Sequence, residues 1–95
     1  MTNKLTLEEK RDILCRLGYG HIHLDFVPQC WARAVQQYKL YRHKKGGVYK
    51  VVPLIAKSAD TGQPVTIYEH IWPHEFGIWV RDESEFNEPG RFVRL

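Results

Sequence analysis

Hydrophobic and polar positions divide this chain into a front part with helical spacing and a longer part with strand alternation. Leu7, Ile13, Leu14 and Leu17 fall on one side of a helix. Thr6 stands ahead of them, with Glu9 three residues on, which is the pattern of a capping box. Gly18 and Gly20 then supply a helix stop, so the spacing predicts a first helix over 7–17. Val27, Trp31, Ala34, Val35, Tyr38 and Tyr41 recur as a wide apolar stripe and predict a second helix over 26–41. Pro28 is tolerated in its first turn, where an N–H has no helical partner anyway. Asp25 is placed to cap that helix.

From 48 onward the period changes to two. A strand is predicted over 48–57, at a sheet edge or bent, because Pro53 cannot donate to a ladder. Asp60-Thr61-Gly62 supplies turn chemistry, and strands follow over 65–71, 76–81 and 91–95. In the second of these four strands Val65, Ile67 and Ile71 share one face, while Tyr68, His70 and Trp72 share the other. In the third, Ile78 and Val80 oppose Trp79 and Arg81. The aliphatic set is expected to form the core, with Ile67 and Val80 buried on paired antiparallel strands. The aromatic set is expected either to stack a ligand or to receive the helices, with Trp79 packing on Trp31 or Tyr38.

A length of 95 residues fits one domain, with a helical segment over 1–41 and a β segment over 42–95. The fold class is α+β: a helical pair followed by a small, mostly antiparallel SH3-like β-barrel. Aromatic residues make up 13% of the chain, enough to fill a small core and furnish a stacking surface. The net charge of +3 and pI near 9.0 are compatible with a polyanionic ligand without demanding one. Cys15 and Cys30 lack CxxC or zinc spacing and read as reduced thiols of a cytoplasmic protein. The polar N-terminus shows no signal peptide, and the apolar run over 51–56 is far short of a membrane span, so no membrane partner is expected.

Candidate chemistry is sparse. Arg42-His43-Lys44-Lys45-Gly46-Gly47 is a basic turn whose backbone N–H groups could meet a phosphate; the plainer reading is a solvated turn. His21, His23 and Asp25 alternate as metal ligands might, but no closed ligand set is visible, and no metal or other cofactor is expected. Ser58 and Ser84 lack a nucleophile elbow, and the acids over 82–88 read as a solvated loop, so the chain is not expected to be an enzyme.

The middle of the chain resembles a family. HxKGGxYxV at His43–Val51, Ala56, the Asp60-Thr61-Gly62 turn, Val65 with Tyr68, then Gly77, Trp79-Val80-Arg81 and Phe86 match, in order and spacing, the domain of unknown function 1653. Asp82 departs from the family's usual Pro, and Trp72-Pro73-His74-Glu75 replaces a shorter turn. The resemblance covers about the second half of the chain. It implies a compact β-barrel and a bacterial or phage, cytosolic setting, with no established activity. Together with the residues, it supports a non-enzymatic binding module for a nucleotide or nucleic acid. The expected ligand residues are Lys44, Lys45, Tyr49, Tyr68, His70, Trp79 and Arg81. The second reading is a protein-interaction or homodimerisation module built on the second helix.

Overall fold

The computed structural model of the chain describes residues 4–95; Met1–Asn3, the start of the polar N-terminal stretch, lie outside the described residues. Helix α1 spans Leu7–Leu14 and opens with the expected capping box. The Glu9 N–H donates to Thr6 Oγ1 at 3.1 Å, and the Thr6 N–H donates to Glu9 Oε1 at 2.8 Å. The chain continues as a wider π turn over Cys15–Tyr19, where Gly18 takes a φ of 101°. Helix α2 spans Val27–Gln37, with Pro28 in its first turn. Asp25 does not cap it. Instead His23 Nδ1 accepts the Asp25 N–H at 3.2 Å, because a short 3-10 turn at Leu24–Phe26 precedes the helix.

Helix α2 ends before the expected residue 41. Tyr38 is already extended, with φ −112° and ψ 150°. The residues beyond it form strand β1, Leu40–His43, which the apolar stripe disguised by continuing to Tyr41. Strands β2 (Val48–Val51) and β3 (Ala56–Lys57) replace the single strand expected over 48–57. The break contains Pro53, the residue expected to bend or end it. Strands β4 (Pro64–Trp72), β5 (Gly77–Asp82) and β6 (Phe92–Arg94) follow, with a short helix α3 (Glu83–Phe86) where a solvated loop was expected.

The six strands form one antiparallel sheet in the order β3-β4-β2-β1-β6, with β5 on the other edge of β4. Two helices followed by an antiparallel sheet is the expected α+β arrangement. The sheet is not closed, however: β5 and β6 remain unjoined edges, in place of a complete SH3-like barrel. It is strongly curved. Tyr68 on β4 and Phe92 on β6 are three strand spacings apart, about 14 Å in a flat sheet, yet their ring centroids lie 5.6 Å apart.

The two sheet faces have different fates. The helices cover one end of the aliphatic face, where Leu5, Ile13, Val48 and Ile71 pack together with Leu17, Trp31 and Trp72. A second cluster, Leu14, Val27 and Ala34, joins the helices to each other. The α2 stripe is therefore spent inside the chain, with Trp31 touching both clusters. Beyond the reach of the helices the same face is open. Ile67 pairs with Val80 as expected. Ile67 is only half-buried, though, and Val80 is 62% exposed. The expectation that both are core residues is corrected: two short helices cannot span the whole sheet. The opposite, aromatic face supplies the rest of the core, with Tyr68 and Phe86 buried. Among the described residues no helix is long and apolar enough to cross a membrane.

Candidate functional site

The concave aromatic face does not fill completely. A cleft of about 590 Å³ opens between the β1–β2 turn, the middle of β4 and β5, and the loop after β4. Six of the seven expected ligand residues line it: Lys45, Tyr49, Tyr68, His70, Trp79 and Arg81. Lys44 does not; its N–H bonds the Arg91 carbonyl, and its side chain is exposed outside the lining. The helices lie on the other side of the sheet, so Trp79 does not pack on Trp31 or Tyr38. It stands at the cleft rim, 57% exposed.

Strand alternation explains the grouping. Tyr68 and His70 of β4 pair with Trp79 and Gly77 of β5, and two residues further along Thr66 pairs with Arg81. All these side chains share a face. The Arg81 Nε donates to the Tyr68 hydroxyl at 3.2 Å, and its Nη1 reaches Glu85 at 3.4 Å. The hydrogen bond to Tyr68 is the main reason that the guanidinium holds its proton even more firmly than usual. Tyr49 packs edge-on against both Tyr68 and His70, at 5.3 and 4.9 Å between centroids. Burial, chiefly, raises the Tyr49 phenol above its ordinary value, which keeps it neutral.

The structure adds residues that the alternation had not grouped. His43, on β1, lines the cleft and packs edge-on against Phe92. It escaped because residues 42–47 read as a basic turn, which gave His43 no strand parity, whereas β1 runs through it. His74 joins from the loop after β4 and stacks on His70 at 5.8 Å. That loop is tied down by Arg16, whose Nη1 donates to the Ile71 carbonyl at 3.1 Å and the His74 carbonyl at 2.6 Å. The chain's own turn explains Arg42: its Nε donates to the Gly46 carbonyl at 3.2 Å.

The basic turn does not act as a backbone phosphate nest. The Lys44 N–H bonds Arg91, the Lys45 N–H bonds His43 Nδ1, and the Gly46 N–H bonds the His43 carbonyl. Its contribution is side-chain charge. Arg42, Lys45 and Arg81 line the cleft with His43, His70 and His74, and no Asp or Glu lines it. The surplus is felt by His43. Burial first, then Lys44, Lys45, Arg81 and Arg91, hold its imidazole below the ordinary value. Among the described residues no group of three or more His, Cys, Asp or Glu converges as metal ligands. His23 pairs with Asp25 at 3.4 Å, and both are exposed.

Fold and cleft define a small α+β domain whose curved sheet carries an aromatic, positively charged hollow. The chain belongs to the family described as Protein of unknown function (DUF1653), whose model matches residues 39–92, more than half of the chain. The match takes in the sheet up to the first residue of β6 and leaves out both N-terminal helices. No curated protein and no solved structure matches this chain.

Proposed function

We propose that this domain is a non-enzymatic binding module for a nucleotide, free or as a unit of a nucleic-acid strand. One observation carries this reading: the cleft gathers three permanent cations and three imidazoles among aromatic rings, with no carboxylate in its lining. Positive groups gathered in one hollow repel one another: after burial, the nearby Lys44, Lys45, Arg81 and Arg91 push the His43 value down. An anionic ligand relieves that repulsion. The exposed Trp79 offers a π-face beside Arg81, the pairing on which bases stack. The volume of about 590 Å³ falls within the range of small-molecule sites, roughly 300–1,000 Å³. A cytoplasmic, bacterial or phage setting suits this reading and is part of the proposal.

A homodimer or protein partner held by α2 has less support, because the apolar stripe of that helix packs within the chain. The test is tryptophan fluorescence during titration with mono- and dinucleotides and short oligonucleotides at low salt. Saturable, salt-weakened quenching is expected. No response at millimolar ligand overturns the reading.

A further inference from the structure

The floor of the cleft holds an acceptor with nothing to accept. His70 is buried, at 7% exposure, and its Nδ1 lies 3.0 Å from the carbonyl oxygen of Glu75. A carbonyl oxygen only accepts, so Nδ1 carries the proton, and in the neutral ring Nε2 presents its lone pair. No described residue donates to Nε2. Nε2 is not sealed from the cleft, for among the described residues the buried side-chain atom without a partner is Arg91 Nε; water meets the nitrogen until a ligand donor replaces it.

Gly47 packs close beside this nitrogen, and only its lack of a side chain keeps the approach from the cleft uncrowded. A Cβ there would stand 3.4 Å from His70 Nε2 and 3.2 Å from Tyr49 Cε1. Gly47 is not among the glycines with positive φ, so its backbone does not require glycine. The absent side chain instead keeps a niche between the imidazole edge and the Tyr49 ring.

We infer that this niche receives the base edge of a nucleotide, with a ring or amino N–H of the base donating to His70 Nε2. The phosphate then lies toward Lys45 and Arg81, which line the same cleft. For the neutral ring the opposite orientation is disfavoured, because phosphate oxygens carry lone pairs and would meet the Nε2 lone pair. This inference rests on the nucleotide reading and specifies which end of the ligand enters.

The experiment titrates the full chain with UMP against N3-methyl-UMP, and with AMP against N6,N6-dimethyl-AMP. For whichever base binds, the methylated analogue is expected to bind at least about tenfold more weakly, because the acceptor is then left unpaired. Gly47→Ala is expected to weaken the unmethylated nucleotide similarly while the far-ultraviolet dichroism is unchanged. In nitrogen-15 spectra the His70 Nε2 resonance is expected to move on nucleotide addition much more than Nδ1. If nucleotides bind but methylation has no effect and Nε2 does not move, the base does not occupy the niche, and the nucleotide reading itself stands. If no nucleotide binds, that reading fails and takes this inference with it. Should Gly47→Ala unfold the chain, the methylated pairs and the His70 resonances decide.

Discussion

Arg81 Nε donates to the Tyr68 hydroxyl at 3.2 Å, across neighbouring strands β5 and β4. The bond ties a half-buried cation to a buried ring and fixes the guanidinium on the cleft side of the sheet. Tyr68→Phe keeps the ring packing against Tyr49, Phe86 and Phe92. It is expected to cost about 0.5–1.5 kcal/mol of stability, the usual worth of one hydrogen bond. It should also weaken nucleotide binding by freeing Arg81. Urea unfolding and the fluorescence titration read these effects separately; a Tyr68→Phe protein with wild-type affinity would show that the positioning of Arg81 is unimportant.

Trp79 and Lys45 separate stacking from charge. Trp79 is mostly exposed, so Trp79→Ala should leave the domain folded. Loss of one base stack, about 1–3 kcal/mol, should weaken binding roughly tenfold or more. Lys45→Ala should weaken binding less and flatten its salt dependence by about the share of one phosphate contact. Equal salt slopes for wild type and Lys45→Ala would remove Lys45 from the site.

His43 predicts the pH behaviour. Burial and the surrounding cations lower its value below the ordinary 6.5. Its Nδ1 also accepts the Lys45 N–H at 3.1 Å, a bond that protonation of Nδ1 would break. With the folded value depressed, His43 contributes stability above about pH 6.5 that is lost as pH falls through its folded value. A bound anion offsets the cations and raises that value, so binding should take up protons and tighten as pH falls below 6.5. Calorimetry in buffers of different ionisation enthalpy measures the uptake. His43→Gln should abolish much of it, and an unchanged proton count would assign the uptake elsewhere.

The unequal faces of the sheet predict unequal costs. Leu14 is fully buried between the helices, and Leu14→Ala should cost about 2–5 kcal/mol. Trp31→Ala should cost about 3–5 kcal/mol, because Trp31 joins both core clusters. Val80→Ala, on the uncovered end of the aliphatic face, should stay within about 0.5 kcal/mol. Thermal unfolding of the three variants ranks them; a Val80→Ala variant as damaged as Leu14→Ala would mean that something covers that face.

Local chemistry was legible in the sequence wherever one segment decides its own form. The Thr6–Glu9 capping box, the two helices, the strand break at Pro53 and the Gly62 turn depend on neighbours a few residues away. Strand alternation likewise put Tyr68, His70, Trp79 and Arg81 on one face, because side chains of paired strands must share it. What alternation cannot say is which face becomes the interior. That depended on how far two short helices reach across the sheet and on its curvature, which buried Tyr68 and left Val80 open. His43 and His74 entered the cleft through pairings and a loop anchored by Arg16, contacts between residues far apart in the chain. Helical spacing that ran on to Tyr41 concealed β1, because a residue that suits a helix stripe also suits a strand. Only the ladders to β2 and β6 decide between the two, and those hydrogen bonds exist only in the folded sheet.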